Sequence, residues 1–121
     1  MSDAQECVEA VVTAYDCMNI RFSHNDTEEF VERLDRSTGV KVLRVIELLE
    51  QFGHRLGMPH SRNIGGGLFE LRVRGKEEVR LFYVFRQSEV VIVHGFLKKS
   101  QKIPLKELSK AEARASRVDG E

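Results

Sequence analysis

Cationic side chains recur in the second half of the chain, at positions that suit one face of a β-sheet. Arg72 and Arg74 are two residues apart in a strand-like run, so the period of a strand predicts that they share a face. Short turns predict that the next two runs pair beside this one, which would bring their cations towards one hollow. The candidate phosphate-binding residues are Arg62, Arg72, Arg74, Arg80, Lys98, Lys99 and Lys102.

Such a cluster suits the chemistry of a phosphodiester. Arginine binds phosphate oxygens with two parallel hydrogen bonds, and lysine acts as a mobile point charge. RNA carries its own nucleophile, the 2′-hydroxyl, so positioned cations stabilise the transition state of its cleavage without a metal. The sequence shows no carboxylate cluster for two-metal chemistry and no CxxC pair, and we expect neither metal nor cofactor. The alternative is a solvated sheet face with scattered charge.

Proton transfer has several candidates and no firm assignment. His94 lies near the end of the third strand-like run, and Tyr83 lies in the second. His54 and His60 fall in the preceding loop. For the three histidines, a structural role is the more common interpretation.

Composition predicts one soluble domain, residues 1–121. The chain is 41% hydrophobic and 31% charged, with no apolar run near the ~20 residues of a membrane helix. The N-terminus lacks the pattern of a secretory signal, so we expect a cytoplasmic protein without a membrane partner. Its formal net charge of zero divides unevenly: residues 1–53 hold 5 Lys/Arg and 11 Asp/Glu, and residues 54–121 hold 14 and 8. This asymmetry is compatible with a nucleic-acid-binding half.

Hydrophobic periodicity predicts an α+β fold in the order strand, two helices, three-stranded antiparallel meander, helix. Met18–Ser23 alternates like a strand, and apolar stripes after Asp26 and after Ser37 indicate two helices, the second ending at Gly53. Residues 54–67 read as a loop. Three strand-like runs follow, and Pro104 precedes a last helix. The predicted meander strands are Leu68–Arg74, Glu78–Arg86 and Glu89–Leu97.

The first 17 residues admit two interpretations. Val8, Val11, Val12 and Tyr15 fall at helical spacing, although their β-branched content would also suit a strand. The segment is therefore either a structured element or an N-terminal extension that the domain does not require.

Several short sequence motifs between residues 29 and 113 resemble those of the phage-derived HigB-like branch of the RelE toxin superfamily. The most specific is Phe96-x-Lys98-Lys99-Ser100-Gln101-Lys102-Ile103-Pro104. The others are Leu43-x-x-Ile46-Glu47-Leu48-Leu49-x-x-Phe52-Gly53, Leu56-Gly57-Met58-Pro59-His60-Ser61, Gly67-Leu68-Phe69-Glu70-Leu71-Arg72 and Arg80-Leu81-Phe82-Tyr83. The resemblance covers about residues 20–117.

The resemblance implies a RelE-like fold and a type II toxin that cleaves mRNA on the ribosome without a metal. Its implied partners are the ribosome, mRNA and a cognate antitoxin, often a helix-turn-helix protein. By position, it implies that Arg62, Arg72, Arg80, Lys98 and Lys99 bind and stabilise the scissile phosphate. Tyr83 and His94 are secondary catalytic candidates, and Arg74 and Lys102 are expected to bind RNA.

RelE itself carries a tyrosine in its C-terminal helix, and the predicted last helix of this chain has none. The identity of the acid and base therefore stays open. The competing hypothesis is a non-catalytic module of phage origin that holds RNA or a protein. Both depend on cations from separate strands meeting in one hollow without being neutralised by carboxylates.

Overall fold

A computed structural model describes residues 18–118 and confirms the α+β class. The helix-or-strand question at Val8–Tyr15 lies outside the described residues. The strands are β1 (Asn19–Phe22), β2 (Ser61–Gly65), β3 (Leu68–Val73), β4 (Val79–Arg86) and β5 (Glu89–Leu97). The helices are α1 (Asn25–Glu32), α2 (Arg36–Phe52) and α3 (Leu105–Val118), with a 3-10 turn at Gly53–Arg55. No helix in the described range is long and apolar enough to cross a membrane.

The five strands form one mixed sheet in the order β1-β5-β4-β3-β2. β1 runs parallel to β5, and the other neighbours are antiparallel. The predicted meander is therefore present, but the expectation that residues 54–67 are all loop is wrong, because β2 extends it by one strand. Gly66 and Gly67 both have positive φ angles, which permits the tight turn that folds the polar β2 back onto β3.

One face of the sheet packs against α2. Val42 and Leu49 of that helix are fully buried with Leu71, Leu81 and Ile92 from three strands. The helix buries the stripe predicted by its 3.6-residue period, and each strand contributes alternate residues to the same layer. This layer is the main core of the domain.

The opposite face is charged only in part. α3 covers a smaller apolar layer there, in which Ala111 and Val118 pack with Phe82, Val91 and Phe96. Phe82 and Phe96 are buried, and their rings stack with centroids 5.8 Å apart. The charged side chains of this face, Glu70, Arg72 and Arg80, lie outside this apolar layer.

An ion pair joins α3 to α1 across the edge of the small core. The guanidinium of Arg114 donates two hydrogen bonds to the carboxylate of Asp26, at 3.0 and 2.7 Å, and a third to the carbonyl oxygen of Val93 at 2.9 Å. Hydrogen bonding to Arg114 lowers the pKa of Asp26 to about 2. Arg114 thus holds α3 in position over the sheet.

We expect Arg114→Met to destabilise the fold in a pH-dependent way. The unfolding free energy at neutral pH should fall by about 1–3 kcal/mol, because charge-assisted hydrogen bonds are lost. Since the folded pKa of Asp26 lies below its ordinary value of 3.8, the pair stabilises above about pH 4. Its contribution is lost as the pH falls towards 2, so the difference between wild type and variant should shrink over that interval. Urea denaturation across this pH range measures it.

Lys110→Met is the matched control, because the ammonium of Lys110 is half-exposed and 3.9 Å from the same carboxylate. Its effect should stay below about 0.5 kcal/mol, as for most exposed pairs. An equal loss for Arg114→Met at every pH would contradict the role assigned to the pair.

Candidate phosphate-binding site

Two rows of side chains cross the face that α3 leaves partly open. In the first row, Arg62 on β2 lies opposite Glu70 on β3. Glu70 in turn lies opposite Phe82 on β4, and Phe82 lies opposite His94 on β5. Directly paired residues of antiparallel strands project to the same face. Each successive strand therefore adds one residue of this row to the same face, from the exposed β2 edge to α3.

The second row continues the pattern one step along the strands. Arg72 pairs with Arg80, and Arg80 pairs with Phe96. The first row is charged on β2 and β3 and aromatic on β4 and β5, and the second row is charged on β3 and β4 and aromatic on β5. The aromatic ends lie under α3, and the cationic ends lie outside it.

Glu70 compensates the repulsion between two arginines on neighbouring strands. Like charges directly opposite each other destabilise a sheet, and Arg72 and Arg80 are such a pair. The carboxylate of Glu70 lies 3.5 Å from Nε of Arg80 and 3.9 Å from Nε of Arg72. Glu70 is only 1% exposed and Arg80 only 2%, so this charge contact is shielded from water.

Arg80 is the most constrained cation of the cluster. In addition to its ion pair with Glu70, its guanidinium donates hydrogen bonds to the carboxylate of Glu78 at 3.0 Å and to the carbonyl oxygen of Val79 at 3.1 Å. Arg72 is less constrained, since its Nη1 contacts only the sulfur of Met58, at 3.7 Å. Carboxylates therefore hold Arg80 firmly and Arg72 loosely.

Glu70, Arg72 and Arg80 line a cavity of about 290 Å³ together with residues of the loop after β5. In that loop, the ammonium of Lys98 donates to the carbonyl oxygens of Ser100 and Gln101, at 2.5 and 2.8 Å. These bonds fold the segment back over the sheet. The lining residues are Arg62, Glu70, Arg72, Arg80, Lys98, Gln101, Lys102 and Ile103.

Five of the nine predicted site residues therefore line one hollow. The cavity is net positive, because five cations and one carboxylate line it. Arg62, Lys98 and Lys102 make no ion pair with a carboxylate in the described part of the chain. Their charge stays available to an anion, and we refer to this hollow as the phosphate pocket.

Two predicted cations lie elsewhere. β3 ends at Val73, so the two-residue alternation no longer holds at Arg74, which lines a different cavity beside α2. Lys99 follows the end of β5 and is exposed, but it does not line the phosphate pocket. The structure therefore does not bring Arg74 and Lys99 into the phosphate pocket with the other predicted cations.

Tyr83 lies on the opposite face of the sheet from the pocket. It is an odd number of residues from Arg80 along β4, and its ring packs in the main core beside Phe69 and Phe85. Its hydroxyl hydrogen-bonds to the hydroxyl of Ser61, and burial raises its pKa. The structure therefore gives Tyr83 a packing role and does not place it at the phosphate pocket.

His94 shares the face of the pocket but not its lining. Its Nε2 lies 2.6 Å from the carboxylate of Glu107 on α3, and its ring packs beside Phe96. Two strand spacings separate His94 from Glu70, about 10 Å. His54 also has a packing contact, since its ring stacks on Phe85 with centroids 3.8 Å apart.

The sequence was compared with family profiles and with curated proteins. Residues 29–116 match the family described as Phage derived protein Gp49-like (DUF891). The chain belongs to this family. The Gp49-like family is related to the RelE/HigB-type toxins, and its members are often toxin-like. No curated protein matches the chain.

The match spans every element of the pocket. It begins in α1, ends in α3 and includes all strands except β1. The Gp49-like region thus contains both rows of side chains and the loop from Lys98 to Ile103. Within the described residues, no group of three His, Cys, Asp or Glu side chains is arranged to hold a metal.

Sequence reasoning did not select three residues that line the pocket, Glu70, Gln101 and Ile103. The signal for Glu70 was available, because strand alternation places it on the same face as Arg72. Gln101 lies in an irregular loop, where no periodicity indicates the direction of a side chain.

The contact between Ser61 and Tyr83 predicts a stabilising role without a catalytic one. We expect Tyr83→Phe to lower the unfolding free energy by about 1 kcal/mol, because it leaves a buried hydroxyl without its partner. RNA binding should not change. A double-mutant cycle with Ser61→Ala and chemical denaturation measures the coupling. Additive losses, or an RNA affinity that falls with Tyr83→Phe, would contradict this assignment.

Proposed function

We propose that this Gp49-like protein is the toxin of a toxin–antitoxin system and acts as an endoribonuclease on mRNA. The observation that supports it best is the phosphate pocket, where cations from β2, β3, β4 and one loop line a single cavity of about 290 Å³. The relation of the family to RelE/HigB-type toxins points in the same direction. The expected partners are the translating ribosome, mRNA and a cognate antitoxin, and the expected compartment is the cytoplasm.

The proposed reaction is an internal transesterification. The 2′-oxygen of a ribose attacks the adjacent phosphorus, the bond to the 5′-oxygen breaks, and the products carry a 2′,3′-cyclic phosphate and a 5′-hydroxyl. The proton of the 2′-hydroxyl is lost, and the leaving oxygen gains one. The scissile phosphate gains negative charge in the transition state, which is the charge that the pocket would stabilise.

Each cation has a distinct part in this proposal. Arg72 presents a guanidinium that can bind two phosphate oxygens, and Lys98 and Lys102 contribute point charges from the loop. Arg62 extends the positive surface along the β2 edge. Arg80 is neutralised by two carboxylates, so it supports Arg72 and the pocket floor more than it binds RNA directly.

The neutralised Arg80 also favours a second candidate function, a non-catalytic RNA-binding module. Tyr83 and His94 lie outside the pocket lining, and the one lining carboxylate is buried between arginines. The two functions share the binding surface and differ in whether RNA is cut. An experiment that follows RNA integrity separates them.

Induced expression should arrest growth and cut mRNA. We expect Lys102→Ala to lower the cleavage rate by about 100-fold, the size typical for loss of one group that stabilises transition-state charge. Lys99→Ala is the matched control, because both lysines are exposed and near one loop but only Lys102 lines the pocket. Mapping of RNA ends and thermal denaturation of both variants measure cleavage and folding.

Two outcomes would decide against the nuclease. Unimpaired growth with intact mRNA, together with RNA binding in vitro, would favour the binding module. Equal losses for Lys99→Ala and Lys102→Ala would show that the pocket is not the site.

RNA binding should weaken steeply with salt, because neutralised phosphates release counterions. With an RNA whose 2′-hydroxyls are replaced by hydrogen, cleavage is prevented and affinity alone is measured. Lys102→Ala should reduce the slope of log affinity against log salt by about 1, and Lys99→Ala should leave it unchanged. An RNA affinity that does not depend on salt would contradict the proposal that this surface binds the phosphates of RNA.

A further inference from the structure

Met58 contacts the phosphate pocket from the loop that leads into β2. Its thioether sulfur accepts a hydrogen bond from Nη1 of Arg72 at 3.7 Å. Backbone hydrogen bonds hold this loop in place. The N–H of Arg72 donates to the carbonyl oxygen of His60 at 2.8 Å, and the N–H of His60 donates to the carbonyl oxygen of Gly57 at 3.0 Å. The fold therefore keeps the sulfur of Met58 beside the arginine that carboxylates hold only loosely.

The side chain of Met58 is open to small oxidants in water. It is 63% exposed, whereas Met18 is 7% exposed and packs in the main core. A dissolved oxidant must reach the sulfur to convert methionine to methionine sulfoxide. Of the two methionines in residues 18–118, exposure therefore favours oxidation of Met58.

A sulfoxide would change what Met58 offers to Arg72. A thioether sulfur is a weak hydrogen-bond acceptor, so the present contact leaves the guanidinium able to turn to an anion. Oxidation makes the side chain polar, and the sulfoxide oxygen carries partial negative charge. Such an oxygen accepts hydrogen bonds from a cation much more strongly than sulfur does. The nearest carboxylate oxygen, from Glu70, is 3.9 Å from Nε of Arg72 and competes little.

We propose that Met58 is a reversible oxidation site whose sulfoxide holds the guanidinium of Arg72 away from an anion in the phosphate pocket. Hydrogen peroxide is the oxidant. The sulfur attacks one peroxide oxygen, the O–O bond breaks and a sulfur–oxygen bond forms. The attacked oxygen gives up its proton, and the other oxygen takes a proton and leaves as water. The sulfur is oxidised and the peroxide is reduced, and methionine sulfoxide reductases reverse the change.

The capture of Arg72 is independent of the proposed function, whereas its effect on RNA rests on that function. Arg72 lines the pocket with a guanidinium that can bind two phosphate oxygens. A sulfoxide that occupies Nη1 removes one of these two bonds. Oxidation would thus weaken RNA binding without any change in the fold.

The direct test uses the full chain without RNA. Hydrogen peroxide is added, a thiol reductant then reverses oxidation of Cys7 and Cys17, and mass spectrometry of peptides locates the sulfoxides. We expect Met58 to be oxidised well before Met18. The NMR signal of the Nε–H of Arg72 should shift on oxidation and return after treatment with methionine sulfoxide reductases. In Met58→Leu, which keeps the other methionines, peroxide should leave that signal unchanged.

The second test measures affinity for the RNA that lacks 2′-hydroxyls. Oxidation of Met58 should weaken binding about 10-fold, the size of one lost hydrogen bond to a charged group. The affinity of Met58→Leu should be the same before and after peroxide. Met58→Gln places an amide oxygen near Arg72 and should bind more weakly than Met58→Leu without any oxidant. Thermal denaturation of both variants checks that they fold.

Three outcomes overturn the proposal. The first is a Met58 that resists peroxide, or an Arg72 signal that does not respond to the sulfoxide. The second is an equal loss of RNA affinity in wild type and Met58→Leu, because oxidation elsewhere would then be the cause. The third is RNA binding that depends on Lys102 and is equal before and after oxidation, which leaves the proposed function intact. If the Arg72 signal shifts while neither form binds RNA, the proposed function fails and the oxidation site stands.

Discussion

The buried carboxylate of Glu70 is the interaction on which the candidate site depends. Arg72 and Arg80 lie opposite each other on neighbouring strands, and without a counter-charge their repulsion would oppose the pairing of β3 with β4. Glu70 lies within 3.9 Å of both guanidinium groups and is almost wholly buried. One negative charge thus permits two positive charges at the centre of a sheet, and the excess charge is left facing the cavity.

The division of one sheet face into two halves follows from where α3 packs. Its apolar side chains cover the aromatic ends of both rows, and Arg114 fixes the helix through Asp26 and the carbonyl oxygen of Val93. The loop that leads into α3 then crosses the cationic ends and supplies Lys98 and Lys102. The position of the helix and the shape of the pocket are therefore set by the same segment of chain.

The periodic patterns of the sequence predicted the secondary-structure elements well, but they predicted the ends of those elements poorly. The stripe of α2 and the short turns of the meander are local signals, and they led to the helix and to the strand pairing. The prediction for Arg74 extended the two-residue alternation too far, because β3 ends one residue before Arg74. β2 was missed because a short polar edge strand has neither an apolar run nor alternation. The partner of His94 comes from α3, 13 residues later, which no local pattern indicates.

The central claim is that RNA phosphate binds where the cations of the two rows and the loop converge. Titration of the protein with a non-cleavable RNA, followed by NMR of the arginine Nε–H signals, measures this residue by residue. We expect the signals of Arg62 and Arg72 to shift with RNA and the signal of Arg74 to stay unchanged. Shifts at Arg44 and Arg74 with none at Arg62 and Arg72 would contradict it.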